Sequence, residues 1–170
     1  MAVGVPPPRT PGRYRIAVVC LGNICRSPIA GVVLSARIEE AGLADAVEVV
    51  SAGTGDWHTG EPMDRRAAAL LSSEGYDGTQ HRAQQVDASW LVDHDLLLAM
   101  DRENLQDLRA LGPVEEGRVR LFRDYDPEEP GSEVPDPYFG GESGFREVLA
   151  MVHRTSRVLV SEVSAALARA

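Results

Sequence analysis

Along the chain, short apolar runs alternate with segments whose apolar residues recur every three to four positions. Four β-rich runs, Arg15–Val19, Val47–Ser51, Asp95–Ala99 and Val119–Phe122, predict strands. Between them lie helical patterns with visible ends. Ser27 is placed to cap a helix whose first position is Pro28, and Gly42 to end it. Asp64 opens DRRAAALLSSEG, closed near Gly75, and Asp101 opens DRENLQDLRALGP, closed by Gly112 and Pro113. In the last helix Phe145, Val148, Leu149, Val152, Leu159, Val163 and Leu167 fall at near-helical intervals and predict one buried stripe. Strands alternating with helices make a parallel sheet covered on both faces, so the expected fold class is α/β, a single domain on a four-stranded parallel sheet. In such sheets ligands bind beyond the carboxyl ends of the strands, where the winding order reverses.

Composition sharpens this picture at a few points. At 170 residues and 44% hydrophobic, the chain is long enough for one well-buried core and short for two. Residues 1–13, with Pro6, Pro7, Pro8 and Pro11, can hold neither a helix nor a central strand and are expected to form a disordered lead-in to a domain over 14–170. Formal net charge is −9, and all 17 basic residues are arginine. The missing lysine excludes Schiff-base and Walker-lysine chemistry, and the acidic balance argues against a nucleic-acid partner. Any bound anion must be met by arginine and backbone. No apolar run approaches the roughly 20 residues that cross a bilayer, and the opening MAVGVPPPRTPGR lacks the apolar core of a signal peptide. The chain is therefore expected to be cytoplasmic, with no membrane partner. Its two cysteines, both in one short segment, make neither a disulfide framework nor a zinc site, which wants about four ligands. No metal and no cofactor are expected.

That segment, CLGNICRSPIA from Cys20 to Ala30, carries the chemistry. It runs from a predicted strand into a helix amino terminus, so backbone N–H groups of residues 20–26 can converge on one point, aided by the helix dipole. Cys20 stands at the rim of this oxyanion cradle, where the same donors would stabilise its thiolate. Arg26 can turn back to hold two oxygens of a tetrahedral anion as a bidentate fork. A cysteine nucleophile beside an arginine clamp describes phosphoryl transfer through a phosphocysteine, with no metal required. A proton donor is still needed. The irregular stretch Arg123–Ser143 exceeds the roughly 12 to 15 residues beyond which structureless loops are usually functional or disordered. Spacing alone does not choose among its carboxylates, Asp124, Asp126, Glu128, Glu129 and Asp136.

CLGNICRSP, together with the later Asp136-Pro137-Tyr138, resembles the low-molecular-weight protein-tyrosine phosphatases, in their bacterial form. SAGTGDW, HRAQQV and AMDREN also look like family segments in the expected order, and the likeness runs from about Tyr14 to the carboxyl terminus. The resemblance implies hydrolysis of phosphotyrosine in proteins, and of other aryl phosphates, with Cys20, Arg26 and Asp136 catalytic. Asp136 would act as general acid and then as the base that activates water. Phosphotyrosine-containing proteins would be the partners, and inorganic phosphate both product and competitive ligand. By the same likeness Leu21, Gly22, Asn23, Ile24, Cys25, Ser27 and His81 form or support the phosphate loop. Within that set Ser27 bonds the nucleophilic sulfur, Asn23 takes a left-handed turn, and His81 supports Asn23. Trp57 and Tyr138 match the aromatic walls of the pocket. Phe139, at its rim, stands where many relatives have a second tyrosine.

Cys25 matches a residue that can trap the oxidised nucleophile as a reversible disulfide, and packing is its alternative role. His58, His94 and His153 have no evident partner and read as ordinary surface or core residues. Three other functions are alternatives. Arsenate reductases of this fold relay oxidation through a further cysteine, which is missing here. Protein-arginine phosphatases of the family carry threonine where Ile24 stands. A non-catalytic phosphotyrosine-binding module would need neither a nucleophile nor an acid. Some bacterial relatives act outside the cell that makes them.

Overall fold

The computed structural model describes residues 4–170, and in it the four apolar runs are strands β1 (Tyr14–Cys20), β2 (Val47–Gly53), β3 (Leu96–Ala99) and β4 (Val119–Leu121). They lie side by side in the order β2-β1-β3-β4, and each neighbouring pair is parallel. Strand β1 pairs with β2 from Tyr14 opposite Val47 to Cys20 opposite Gly53, and with β3 from Ile16 opposite Leu96 to Val19 opposite Ala99. The chain thus winds from the central β1 out to β2, then returns across β1 to β3. This reversal falls beside the carboxyl end of β1, the place where open α/β sheets bind ligands, and Cys20 is the last residue of that strand.

Both faces of the sheet are buried, which is why its strands read as unbroken apolar runs. Alternation sends Ile16, Val18, Leu96 and Leu98 to one face and Ala17, Val19, Leu97 and Ala99 to the other. Helices α1 (Arg26–Glu40), α2 (Arg65–Ser73) and α5 (Glu142–Arg169) cover the first face. The short α3 (Trp90–Asp93) and α4 (Arg102–Ala110) cover the second. Of the predicted α5 stripe, Phe145, Val148, Leu149, Val152, Leu159 and Val163 are buried and Leu167 is partly buried against them. Helix α1 ends where Gly42 enters the left-handed region at φ 75°, with Gly42 N–H bonded to the Glu39 carbonyl and Leu43 N–H to that of Ile38. These two bonds close a Schellman turn. Asp64 and Asp101 cap α2 and α4 through their carboxylates, as their position predicts.

Several expectations are corrected. Ser27 caps nothing: α1 begins at Arg26 with Cys25 in the cap position, and the Ser27 hydroxyl is drawn instead toward Cys20. The strand expected to reach Phe122 ends at Leu121, and Phe122–Tyr125 is a 3-10 turn. A four-residue helix such as α3 is too short to show a period, and no reading of the pattern finds it.

The lead-in expected to be disordered is, over residues 4–13, fastened across the domain. Val5 is buried, the Tyr14 hydroxyl donates to the Pro6 carbonyl at 2.8 Å, and Arg118 Nη1 donates to that of Pro7 at 3.0 Å. Arg9 donates its backbone N–H to Asp95 at 2.6 Å and its guanidinium to the Leu91 and His94 carbonyls at 3.0 Å each. Prolines forbid helix and ladder bonds, but they leave carbonyls free to accept from side chains, and those bonds order the segment. Residues 1–3 of the expected lead-in lie outside the described residues. No described helix is long and apolar enough to cross a membrane.

Candidate active site

Between β1 and α1, residues 21–25 form a loop that curls around the Cys20 sulfur. Asn23 supplies the turn. Its φ of 58° makes it the one non-glycine residue in the left-handed region among the described residues, a conformation asparagine tolerates better than most. Its backbone N–H points at Cys20 Sγ at 3.2 Å, and its side chain locks the turn to the scaffold. Asn23 Nδ2 donates to Ser27 Oγ at 2.8 Å and Ser51 Oγ at 3.0 Å, while Oδ1 accepts from Gln84 N–H at 3.0 Å. His81 completes the set, with Nε2 at 2.7 Å from the Asn23 carbonyl. A carbonyl only accepts, so Nε2 carries the proton, and burial holds the His81 pKa below its ordinary value, keeping the ring neutral. Strand β2 yields to the loop at Gly53, where an added Cβ would sit 2.7 Å from the Leu21 carbonyl oxygen.

Ser27 Oγ lies 3.0 Å from Cys20 Sγ. Asn23 already donates to the Ser27 oxygen, so the serine proton is shared between the sulfur at 3.0 Å and the Ala52 carbonyl at 3.4 Å, and the shorter contact makes Asn23 and Ser27 a donor chain ending on Cys20. Arg26 lies beneath, 4% exposed. Its Nη1 donates to Asp101 Oδ2 at 2.7 Å and to the Val134 carbonyl at 3.1 Å. Among the described residues its Nε and Nη2 have no hydrogen-bond acceptor, which leaves a fork for two oxygens of an anion above Cys20. Burial works against the guanidinium charge, but Cys20, Asp101 and Asp136 outweigh it and hold its pKa above the ordinary arginine value. Asp101 thus has two tasks, since its other oxygen caps α4 by accepting from Asn104 N–H at 2.8 Å. The sequence showed it only as a cap.

Cys20, Arg26 and Asp136 line one cleft of about 180 Å³, with Leu21, Gly22, Ile24 and Cys25 from the loop. Trp57, Tyr138 and Phe139 stand at its mouth, where Trp57 is 69% and Phe139 93% exposed. The rings of Tyr138 and Phe139 meet edge to face at 4.9 Å. Trp57 lies over Gly55, where any Cβ would run into the indole. A larger cleft of about 540 Å³ lies behind the loop, walled in part by Ser51, His81 and Gln84. It contains none of Cys20, Arg26 and Asp136, which all line the smaller one.

Asp136 Oδ2 is 3.8 Å from Arg26 Nη2. Its rivals are engaged elsewhere: Asp126 is buried between Arg123 and Arg154, Glu129 pairs with Arg123, Glu128 with Arg154, and Asp124 accepts from Leu121 N–H. Cys25 is a buried thiol whose pKa is pushed up to about 12 by burial first, then by Asp64 and Asp136. His58, read from sequence as partnerless, lines the same cleft and bonds Glu61 through Nδ1 at 2.6 Å. His94 and His153 also have partners, in the Trp90 carbonyl and Arg37, away from the cleft.

A family model described as low molecular weight phosphotyrosine protein phosphatase matches residues 15–169. The chain belongs to this family. Among curated members of the low-molecular-weight phosphatase family, a low molecular weight protein-tyrosine-phosphatase of Streptomyces coelicolor is 49% identical over 154 residues, 88% of this chain and 93% of that one. Low molecular weight protein-tyrosine phosphatase A of Mycobacterium tuberculosis is 46% identical over 156 residues, covering 91% and 94%. Among solved structures, a protein tyrosine phosphatase from Entamoeba histolytica, with Hepes in its active site, superposes with a TM-score of 0.84 at 32% identity, over 89% of this chain and 97% of that one.

Proposed function

We propose that this chain hydrolyses phosphotyrosine in proteins, and other aryl phosphates, through a phosphocysteine on Cys20. One observation carries the reading: nucleophile, anion fork and carboxylate share a single cleft, with Cys20 Sγ fed by the Ser27 hydroxyl and Arg26 held by Asp101. In the first step the Cys20 thiolate attacks phosphorus and the P–O bond to the ring breaks. Asp136 gives its proton to the departing phenolate. In the second step Asp136, now a carboxylate, takes a proton from water, whose oxygen attacks phosphorus as the S–P bond breaks. Inorganic phosphate leaves and Cys20 returns to thiolate. Loop N–H groups and Arg26 hold the equatorial oxygens throughout, where charge is greatest.

Phosphoproteins with a phosphorylated tyrosine are the proposed substrates, and inorganic phosphate should compete for the same cradle. Aromatic walls at Trp57 and Tyr138 favour a phenyl ring, and depth favours it over the shorter phosphoserine. Ile24, bulky and apolar at the cleft, supports phosphotyrosine over phosphoarginine. We place the activity in the cytoplasm, because a thiol nucleophile with a second free cysteine nearby needs a reducing compartment. The test is hydrolysis of p-nitrophenyl phosphate and of phosphotyrosine, phosphoserine and phosphoarginine peptides by the parent protein and by Cys20→Ser. Turnover that prefers phosphotyrosine and vanishes in the variant is expected. Turnover that survives the substitution would refute the mechanism.

A further inference from the structure

The geometry points to Arg66 as the positioning residue of the general-acid loop, coupling that loop to the phosphate cradle across the start of α2. This inference rests on Asp136 being the proton donor. Residues 135–140 carry Asp136 and the ring of Tyr138, yet they hold few bonds. Within the stretch, Tyr138 N–H donates to Asp136 Oδ1 at 3.1 Å and Gly140 N–H to the Pro137 carbonyl at 2.9 Å. From outside it, among the described residues, hydrogen bonds reach residues 135–140 from Arg66 alone. Its Nη2 donates to the Tyr138 carbonyl at 2.8 Å and its Nη1 to that of Gly140 at 3.2 Å.

The same guanidinium is fixed from behind. Asp64 grips it through Nη2 at 3.0 Å and Nε at 3.1 Å, and that pairing, opposed by burial, keeps Asp64 below the ordinary carboxylate range. Asp64 in turn donates its backbone N–H to the Ile24 carbonyl at 2.8 Å, inside the loop that surrounds Cys20. The guanidinium also lies 4.7 Å from the Phe145 ring centre and 5.5 Å from that of Tyr138, so the cation meets two aromatic rings, one where α5 begins and one on the pocket wall. A continuous path therefore runs from Ile24 through Asp64 and Arg66 to the backbone on both sides of Phe139. A planar fork with several donors can span two carbonyls and a carboxylate at once, which an ammonium cannot match.

Arg66 touches neither the reacting atoms nor Cys20. Its loss should therefore weaken proton donation while leaving the anion cradle intact. The deciding experiment measures kcat/KM for aryl phosphates of rising leaving-group pKa, from 2,4-dinitrophenyl to phenyl phosphate, in the parent, Arg66→Gln, Arg66→Lys, Asp136→Asn and the Arg66→Gln/Asp136→Asn double variant. A good leaving group departs without a proton and a poor one does not. In Arg66→Gln, phenyl phosphate should lose about ten- to a hundredfold, as expected of a misplaced catalytic group, while 2,4-dinitrophenyl phosphate changes by less than about threefold. The inhibition constant of inorganic phosphate and the Tm should stay near the parent's, and Arg66→Lys should recover part of the loss.

In the Asp136→Asn background, removing Arg66 should cost nothing further that depends on the leaving group, because the two residues act as one unit. A loss equal for all leaving groups, or one that persists undiminished beside Asp136→Asn, overturns the assignment of Arg66. If Asp136→Asn itself shows no leaving-group dependence, the acid has been misidentified, and that failure is seen before any Arg66 variant is read.

Discussion

Replacing Asn23 tests whether the nucleophile's loop is held by its side chain or by its backbone turn. The residue is 1% exposed and its side chain makes three hydrogen bonds, to Ser27, Ser51 and Gln84, across three segments of the chain. At about 1 kcal/mol for each, Asn23→Gly removes about 3 kcal/mol while glycine keeps the left-handed turn at no cost. Asn23→Ala loses the same bonds and adds about 1 kcal/mol for placing a Cβ at positive φ. These bonds join loop to scaffold, so the cost falls on the ordered state of the loop rather than on the sheet. At about 1.4 kcal/mol per factor of ten, kcat/KM for p-nitrophenyl phosphate should fall on the order of a hundredfold in Asn23→Gly and about fivefold further in Asn23→Ala. The inhibition constant for phosphate should rise with it, since the same N–H groups bind the anion. Thermal unfolding, measured beside the kinetics, should move much less than the rate. Equal rates in the two variants would show that the left-handed turn costs nothing here. A rate within about twofold of the parent in both would refute the claim that these bonds order the loop.

Two predictions follow from groups whose protonation the fold displaces. Asp126 is buried between Arg123 and Arg154, and despite the cost of burial Arg154, then the Glu128 N–H and Arg123, hold its pKa far below the ordinary 3.8. A carboxyl so depressed stabilises the fold above its ordinary pKa and loses that contribution as pH falls below it. Asp126→Asn should therefore cost about 3 kcal/mol in urea unfolding at pH 7, a cost that shrinks as pH falls below about 4 and is still partly present at pH 2, where the folded carboxyl stays ionised; a constant difference from pH 7 to pH 2 would refute the ion-pair account. Cys25, with its thiol pushed up to about 12 from an ordinary 9.0, stays protonated through the neutral range. In Cys20→Ser, iodoacetamide should label Cys25 far more slowly than glutathione from pH 7 to 9, with a rate still climbing at pH 10 where that of an ordinary thiol has levelled off, and fully in denaturant. Labelling as fast as glutathione's, or levelling off near pH 9, would contradict it.

The sheet was legible because its strands are buried on both faces and bounded by caps and glycines. Gly42, Gly75, Asp64 and Asp101 each end or begin a helix where pattern reading put them. The cradle was legible because a local string encodes it: Cys20 to Ser27 is one strand end, one turn and one helix start. The acid was not. Asp136, the proposed acid, stands out in the sequence only by its likeness to the family, and what separates it from Asp126 in the structure is that Arg123 and Arg154, far apart in sequence, close around the latter. Asp101 behind Arg26 was missed for the same reason, since a residue already explained as a cap gives no sign of a second bond 75 positions away. The error over residues 4–13 has another cause. Proline content reports which backbone bonds cannot form, and says nothing of a tyrosine hydroxyl or an arginine waiting to meet the free carbonyls.

The unequal anchoring of the two halves of the site has a mechanical meaning. The cradle must present its donors where charge develops, and any freedom there would have to be removed in each turnover, so its turn is bonded to β2, α1 and the segment around His81 and Gln84. The acid has a different duty. In the proposed reaction Asp136 first protonates the bridging oxygen of an ester and later deprotonates a water that attacks from the same apical position opposite Cys20, and between the two steps a phenol must leave and a water enter past it. A stretch hydrogen-bonded at Val134 by Arg26 and Met100 and, over residues 135–140, among the described residues, from outside only by the exposed Arg66, with Asp136 3.8 Å from Arg26 Nη2, can give way for that exchange without disturbing the cradle. Tight bonding on both sides would hinder that exchange, so a lightly held loop around Asp136 fits a reaction in which one carboxyl serves two steps.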